Sequence, residues 1–423
     1  MIELIKLTKK ERIDVSLKCE SFFLQSKKVG KFEPLYKELV KYTSRKNAKE
    51  LWMFITAACR AVRYDLIGSK FPLSKPNYIS ANKRFKLKVS HTRSKEMLCD
   101  LEKADMITLY KGFKDEDWSM TSCFVMTDKL LSMIPVEKAK RYAVKRSPEE
   151  FVKIKDYTSQ KFIEDYKGYS GITLYRKQMD KFNNFLEDKT ITIGGIEHKV
   201  CYIRIFADNL DGAGRFYTTN GFINYQSHLR ETMLIEGEEV TEIDLANLHP
   251  RLCAMLEGIK VEDDWEPYSI DSSLFPDMCS TGYVQLRKLC KKALMAVLYS
   301  DTKDKAVKSL FFTFNKSKHE DFKLLPISSK KDCENIIDSL VKRNASISKH
   351  FFVEGGWKKL QNLDSKICAY IVNRFTNLKE VCLPYHDSWC VVKKNGNLLV
   401  EVMKEAWVDL FGTTMNFKYN VEF

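Results

Sequence analysis

The segment VTEIDLANLHPRLCAML, residues 240–256, predicts a β-strand that runs directly into an α-helix. β-Branched and apolar residues lead up to Leu245, and apolar residues then recur at helical spacing. Asp244 therefore falls at the end of a strand, where the sheet holds its carboxylate while the rim leaves it open to solvent. Such an oxygen ligand suits a divalent cation, although a single Asp at a strand end is more often a turn residue.

The segment EVCLPYHDSWCVVKK, residues 380–394, supplies a second carboxylate. Two short β-like runs flank His386, Asp387 and Ser388, which predicts a hairpin with a polar tip. Two carboxylates from neighbouring strands are what a two-metal site needs, in which ions about 3.5–4 Å apart activate an attacking hydroxyl and stabilise a leaving oxygen. Taken alone, His386 is an ordinary turn histidine.

The segment GYVQLRKLCKKALMAVLYSD, residues 282–301, predicts one helix of strong helix formers. Arg287, Lys291, Met295 and Tyr299 are spaced four apart and form one slowly turning stripe. Two cations at one end and an aromatic ring at the other can hold a triphosphate and stack on a base or sugar. For this segment alone, a plain amphipathic surface helix is the favoured explanation.

A fourth segment lies upstream, NLDGAGRFYTTNGF at residues 209–222, and contains Asp211, Gly214, Arg215 and Tyr217. Together the four segments resemble the motifs of right-hand polymerases related to family A DNA polymerases and to the single-subunit RNA polymerases of phages and mitochondria. The upstream segment is similar to their Asp-x-x-Gly-Arg element. The other three are similar, in chain order, to motif A, to the fingers-helix motif B and to motif C.

The resemblance implies an α+β fold with a palm, fingers and thumb, an antiparallel palm sheet and a mostly helical remainder. It also implies that Asp244 and Asp387, with the backbone carbonyl of Leu245, bind two Mg²⁺ ions, for which Mn²⁺ is an alternative. Lys291 would hold the triphosphate and protonate the leaving pyrophosphate, and His386 would lie by the 3′ terminus. The implied nucleotide-binding residues are Arg287, Lys291, Met295, Tyr299 and His249. The implied nucleic-acid-binding residues are Arg215, Asp211, Tyr217 and Arg251, joined by Lys83 and Arg84 from a basic stretch.

The choice between deoxyribose and ribose stays open. DNA-making relatives commonly carry Glu where this chain has His249, and Met295 and Ser388 are similar to the RNA polymerases. The stretch LANLHPRL after Asp244 and the short gap from Arg215 are closer to the DNA enzymes.

The composition indicates a folded protein with an anionic partner. Lysine and arginine outnumber aspartate and glutamate by 70 to 56, the net charge is +14, and 44% of the 423 residues are hydrophobic. This balance excludes disorder and favours nucleic acid, although solubility explains part of the excess. The 12 cysteines form no Cys-x-x-Cys pair, and no apolar run reaches the roughly 18 residues that span a bilayer. We therefore expect a reduced, cytoplasmic protein without membrane contact.

Five regions are predicted along the chain. Residues 1–135 form a helical, DNA-binding region, in which a helix, two strands and a further helix resemble a winged helix; a solvated α+β subdomain is the alternative. Residues 136–199 are predicted as a basic helical thumb-like region, and residues 200–260 as a first palm segment with motif A. Residues 261–359 are predicted as fingers with motif B, and residues 360–423 as a second palm segment with motif C.

The leading hypothesis is template-directed 5′–3′ nucleotidyl transfer by a compact DNA-dependent DNA polymerase. No proofreading exonuclease is expected, because no spaced acidic residues stand in β-rich runs before Asp211. We expect a role in replication of a phage or mobile element, with DNA template and primer and nucleoside triphosphates as partners and a replication accessory protein as a further candidate.

Three alternatives stay open. The nearest is a single-subunit RNA polymerase or primase-polymerase. A second is a non-catalytic DNA-binding initiator or regulator, which a decayed site would indicate; both metal-site aspartates and both helix cations are present. The third is a nuclease with Glu242 as an additional acid, which leaves the helix stripe without a role.

Overall fold

The computed structural model of the chain describes most, but not all, of its residues. They are residues 19–20, 30–44, 47–71, 89–114, 119–120, 122–143, 145–146, 148–163, 165–166, 168–219, 221–262, 264–275, 279–317, 321–414, 419–421 and 423. Lys83 and Arg84, two of the predicted nucleic-acid contacts, lie outside the described residues.

The N-terminal region is a small α+β unit with its own hydrophobic core, which runs from Phe32 to Ala143. Its strands and helices are, in chain order, β1 (Cys19–Glu20), α1 (Glu33–Leu39), α2 (Ala48–Arg63), β2 (Gly68–Lys70), α3 (His91–Lys103), β3 (Ile107–Tyr110), β4 (Phe113–Lys114), β5 (Ser119–Met120), β6 (Cys123–Met126), α4 (Asp128–Met133) and α5 (Val136–Tyr142). Strands β1, β2, β6 and β3 form one sheet in that order, and β4 pairs with β5.

The helix, antiparallel strand pair and helix predicted for the N-terminal region are confirmed as α3, β3 with β6, and α4. Ser90 and Thr127 cap α3 and α4 by accepting hydrogen bonds from the N–H groups of Arg93 and Leu130. These caps explain why each helix begins where the sequence changes from extended to helical character. Binding of DNA by this unit stays a prediction.

The larger, C-terminal region of the chain has a second hydrophobic core, from Phe151 to Trp407. Its first elements are α6 (Pro148–Phe151), β7 (Val152–Asp156), β8 (Lys161–Phe162), α7 (Ile172–Glu187), β9 (Ile191–Ile193), β10 (Ile196–Glu197), β11 (Tyr202–Ala207), β12 (Ala213–Thr218), α8 (Ser227–Arg230), β13 (Leu234–Ile235), β14 (Glu238–Leu245) and α9 (Leu248–Leu256). They are followed by α10 (Ser280–Tyr299), α11 (Lys303–Ser317), α12 (Lys330–Arg343), α13 (Gly356–Leu378), β15 (Cys382–Tyr385), β16 (Ser388–Val392), α14 (Gly396–Phe411) and β17 (Tyr419–Val421).

Two sheets organise this larger region. In the first, β10, β9, β13, β14, β16 and β15 lie side by side in that order, and β17 also pairs with β14. Its strand pairs are antiparallel, including those that β14 makes with β16 and β17. The second sheet has the order β12, β11, β7, β8, with β11 and β7 parallel. The chain is thus an α+β protein in which long helices pack around mainly antiparallel sheets.

The region predicted as helical at residues 136–199 requires a correction, because it also contains strands. The stretch VKIKD forms β7, which pairs with β11 and so joins this region to the next one. Its signal is the alternation of buried Val152 and Ile154 with half-buried Lys153 and Lys155, which is the two-residue period of a strand. The density of basic residues obscured this period.

The cysteines and the helices of the described residues bear on two of the expectations from composition. All 12 cysteines are free thiols, and most are buried. None of the helices in the described stretches of the chain combines the length and the apolar character needed to cross a bilayer.

Candidate active site

The two predicted metal-binding aspartates stand at neighbouring ends of one antiparallel strand pair. Asp244 is the penultimate residue of β14 and lies opposite Ser388, the first residue of β16. Asp387 directly precedes Ser388 in the turn between β15 and β16, and its backbone carbonyl accepts a hydrogen bond from the N–H of Leu245 at 3.4 Å. The strand, the hairpin and the polar tip predicted here are confirmed. Register alone brings the two carboxylates to the same rim of the sheet.

Both carboxylates are half-buried, and their charges influence the same buried tyrosine, Tyr268. Burial, and after it the charge of Glu266, raises the pKa of Tyr268, and the charges of Asp387 and Asp244 raise it further. Asn420 donates a hydrogen bond to Asp244 at 3.4 Å. Within the described residues, the carboxylate of Asp387 has no direct hydrogen-bond or ion-pair partner.

These donors fit a hard divalent cation. Carboxylate and carbonyl oxygens are the ligands that Mg²⁺ prefers, and Mg²⁺ usually retains water and substrate oxygens as further ligands. In the described residues, no group of three or more His, Cys, Asp and Glu side chains could hold a metal ion. A cation here would therefore depend on Asp244, Asp387 and backbone carbonyls, with water and a bound phosphate completing its coordination.

A buried ion pair lies next to the carboxylates. The Nε atom of Arg215 on β12 is 2.8 Å from Oδ2 of Asp364 on α13, and its second nitrogen approaches the same oxygen to 2.5 Å. Burial alone would lower the pKa of Arg215, but the charge of Asp364, with a smaller contribution from Asp387, raises it. Arg215 therefore connects the buried pair electrostatically with the acidic rim.

Gly214 explains why Arg215 can approach α13 so closely. Its φ is +89°, and a Cβ atom there would lie 2.6 Å from the ring of Phe206 and 3.0 Å from Oγ of Ser365. Only glycine fits this backbone conformation and this space. The Gly-Arg dipeptide is thus a structural requirement for delivering the guanidinium to Asp364.

His249 and Tyr299 extend this network toward the helix stripe. His249 is buried, with Nε2 3.4 Å from Oδ2 of Asp364 and 3.2 Å from Arg215. The hydroxyl of Tyr299 lies 3.0 Å from Nδ1 of the same ring. Burial raises the pKa of Tyr299 to about 12, opposed by the charge of Arg215. Both ring nitrogens of His249 are therefore held by neighbouring side chains.

The predicted helix is confirmed as α10, and its stripe changes from exposed to half-buried along its length. Arg287 and Lys291 are exposed, whereas Met295 and Tyr299 are half-buried. Arg287 donates two hydrogen bonds, of 2.9 and 2.7 Å, to Oε2 of Glu266. Lys291 has no ion-pair partner among the described residues. The stripe therefore begins with the solvent-exposed cations Arg287 and Lys291 and ends at Tyr299, which belongs to the network around Arg215.

His386 and Tyr217 meet at the same rim. Their ring centroids are 5.8 Å apart in an edge-to-face arrangement. Burial, and then the charge of Arg215, lowers the pKa of His386. Its Nδ1 atom is buried without a hydrogen-bond partner among the described residues, and its φ of +61° turns the chain at the hairpin tip. Asp211 is exposed in the turn before β12.

Two residues have different surroundings from those expected. Arg251 is only 1% exposed and donates to the backbone carbonyl of Glu262 at 3.2 Å, which argues against direct contact with nucleic acid. Glu242, the additional acid of the nuclease alternative, is also 1% exposed. Its carboxylate accepts two hydrogen bonds from Arg230, both of 2.7 Å, and a third from Ser388 at 2.5 Å. These donors already satisfy Glu242, so it is not available as a metal ligand.

Asp364 is the site residue that sequence reasoning missed. It lies in WKKLQNLDSKICAYIV, where Leu360, Asp364, Ile367 and Ile371 recur at helical spacing and are all buried. A carboxylate in the apolar stripe of a helix is the available signal, since a buried Asp requires a partner. The identity of that partner could not be deduced, because Arg215 is distant in sequence.

No known protein family model matches the chain, and no curated protein matches it. Among solved structures, the chain is similar to the POL domain of Pol1 from M. smegmatis, solved in complex with a DNA primer-template and dNTP. The TM-score is 0.32 at 12% sequence identity, and the match covers 97% of this chain and 69% of that one. Because both values are low, the likeness supports no statement about individual residues.

Proposed function

We propose that the chain is a template-directed nucleotidyltransferase, and specifically a compact DNA-dependent DNA polymerase. The observation that supports this most strongly is that Asp244 and Asp387, which directly precedes the strand partner of Asp244, stand at one sheet rim, and that Asp387 acts on the helix stripe that ends at Tyr299. The charge of Asp387 acts on Tyr299, which ties the stripe to the rim. A pair of carboxylates for cations and a row of cations for a triphosphate are the two requirements of phosphoryl transfer.

In this proposal a primer 3′-hydroxyl gives its proton to water and attacks the α-phosphorus; a new P–O bond forms as the bond from the α-phosphorus to the bridging oxygen breaks, and pyrophosphate leaves. Asp244, Asp387 and the carbonyl of Leu245 would hold two Mg²⁺ ions, or Mn²⁺ in their place. Such ions, when bound, lower the pKa of the attacking hydroxyl and stabilise the charge on the leaving oxygen. Lys291 binds the triphosphate and donates a proton to the pyrophosphate. His386, neutral because its pKa is lowered, lies beside the primer terminus.

Arg287 and Tyr299 would act at opposite ends of the nucleotide. Arg287 can exchange the carboxylate of Glu266 for the outer phosphates, because an exposed ion pair contributes little and a phosphate offers more charge. Met295 and Tyr299 then face the nascent base pair, and His249 faces the sugar.

The elements divide accordingly. The sheet containing β14, β16, β15 and β17 serves as the palm, α10, α11 and α12 as the fingers, and α7 as the thumb, whereas α5, at the start of the predicted thumb-like region, packs in the N-terminal core. The N-terminal unit with α3, β3 and β6 acts as a winged-helix-like DNA-binding module. We expect the polymerase to act in replication of a phage or mobile element and to lack proofreading.

Primer extension on a DNA template tests the proposal directly. A labelled primer is incubated with the chain and Mg²⁺, with dNTPs and NTPs offered in separate reactions. Extension with dNTPs is the expected result. Extension with NTPs alone would favour the RNA polymerase or primase alternative. Extension with neither would contradict the class and favour a non-catalytic DNA-binding protein.

A lysine pair on α10 provides a matched test of the triphosphate role. We expect Lys291→Ala to lower kcat/KM for the incoming nucleotide by about 100-fold or more, because a charge-stabilising donor is lost. Lys292→Ala is the control, since Lys292 is an equally exposed neighbour that lies off the stripe. Single-nucleotide incorporation measures both. Equal effects of the two substitutions would contradict binding of the triphosphate by the stripe.

A further inference from the structure

One face of the sheet formed by β12, β11, β7 and β8 carries cations and aromatic rings outside the acidic rim. Across this sheet Arg215 pairs with Ile205, Ile205 with Lys153, and Lys155 with Phe162. Directly paired residues, and residues two apart on one strand, point to the same face. Lys153, Lys155, Phe162, Arg215 and Tyr217 therefore share one face, here termed the cationic face.

The burial pattern shows that this face is the open one. Along β7 the buried residues Val152 and Ile154 alternate with half-buried lysines. Phe162 is 43% exposed. The opposite side of the sheet is covered by α7, where Phe182 stacks on Tyr202 at 5.4 Å between ring centroids.

Lysines and rings are interleaved on the cationic face. The ammonium of Lys153 lies 5.7 Å from the ring centroid of Phe162, and that of Lys155 lies 4.9 Å from the ring of Tyr157. The ring of Tyr157 meets that of Trp357 edge to face at 4.8 Å. Lys358 lies 5.8 Å from both of these rings.

The acidic groups at this end of the sheet already have partners. Asp208 is ion-paired with Lys358 and accepts a hydrogen bond from the N–H of Tyr157 at 2.7 Å. Asp156 accepts hydrogen bonds from the N–H groups of Thr158 and Ser159. Asp208 and Lys358 offset each other, so the positive charge between the rings comes from Lys153 and Lys155 on β7.

The cationic face is continuous with the candidate active site. Tyr217, at one edge, contacts His386 of the motif C hairpin, and the charge of Asp387 contributes to the raised pKa of Arg215. A strand that leaves the acidic rim over Tyr217 would next meet the lysines of β7 and then Phe162.

We infer that the cationic face binds single-stranded nucleic acid, with unpaired bases on Phe162, Tyr157 and Trp357 and phosphates on the lysines between them. Stacking requires free base faces, which a duplex conceals, whereas a cationic groove with aromatic rings is the usual chemistry for single strands. The inference rests on the proposed function, because it specifies which form of nucleic acid the same chain holds beyond the duplex.

The test measures binding without catalysis. Fluorescence anisotropy follows a labelled 20-nucleotide oligo-dT with full-length protein in EDTA and without nucleotides. The double variant Lys155→Gln, Phe162→Ser is expected to bind about tenfold or more weakly and to have a smaller salt slope. A second variant, Trp357→Leu, is expected to weaken binding without changing that slope.

The matched control is Lys308→Gln, Phe312→Ser on α11, which removes an exposed lysine and a ring that is 70% exposed. Unchanged melting temperatures exclude misfolding. Oligo-dT binding equal to that of the control variant, or stronger loss for a duplex of the same length, would overturn the inference. Parallel primer extension separates the two proposals. If the enzyme extends primers but the variants of the cationic face bind oligo-dT normally, only the role of this face is refuted. If these variants lose oligo-dT binding but the wild type extends no primer, only the polymerase activity is refuted.

Discussion

Asp387→Asn is expected to abolish nucleotide incorporation while leaving the stability of the fold nearly unchanged. Asn keeps the size of the side chain but removes the charge that would hold a cation at the rim. A loss of about 4 kcal/mol of transition-state stabilisation corresponds to about a thousandfold lower rate. The melting temperature should change little, because the substitution removes both the repulsion between two carboxylates on adjacent strand ends and the attraction between Asp387 and Arg215. Single-turnover incorporation and thermal denaturation measure the two effects.

The control for this substitution is Asp188→Asn, which removes an exposed carboxylate at the end of α7. It should leave incorporation unchanged. Asp244→Asn should reproduce the loss, and calorimetric titration with Mn²⁺ should show weaker binding in both rim variants. Retained activity in either rim variant would refute the two-metal assignment.

The sequence was sufficient to locate the elements of the site because each depends on local periodicity. The strand ending at Leu245, the hairpin around Asp387 and the helix bearing Lys291 have alternation or helical spacing within about 20 residues. A rim formed by adjacent antiparallel strands then follows, since register fixes which residues are neighbours. For these three segments, local pattern and tertiary position agree.

The partners of the charged residues could not be obtained in this way. Arg215 and Arg251 carry the same charge in the sequence, yet one is held by Asp364 and the other donates to a backbone carbonyl. Burial is decided by packing between segments that are far apart in the chain, so the motif resemblance alone assigns both to a nucleic-acid surface. The strand β7 was hidden for a related reason, because its lysines have the periodicity of a strand and the composition of a solvated helix.

Asp364→Asn is expected to produce the largest loss of stability in the chain. Asp364 is 1% exposed and is the anion for Arg215, with His249 beside it. Its removal leaves the mostly buried guanidinium of Arg215 without its ion-pair partner, and breaking a buried pair from one side costs about 3–5 kcal/mol. Urea denaturation measures the change in the free energy of unfolding. Glu334→Gln, which removes partly exposed ion pairs with Lys303 and Lys331, should have a much smaller effect.

A pH profile distinguishes this ion pair from a packing effect. Burial alone would raise the pKa of Asp364, but the charge of Arg215 and the contact with His249 hold it below its usual range. A carboxyl group with a lowered pKa stabilises the fold above its unfolded value of about 3.9, and this contribution is lost as the pH falls through the folded pKa. The free energy of unfolding should therefore fall more steeply below pH 4 in the wild type than in Asp364→Asn.

The double variant Asp364→Leu, Arg215→Met should recover some of the stability, since it leaves no unpaired charge. Parallel pH profiles, or a double variant that is less stable than Asp364→Asn, would show that packing rather than charge holds α13 against β12.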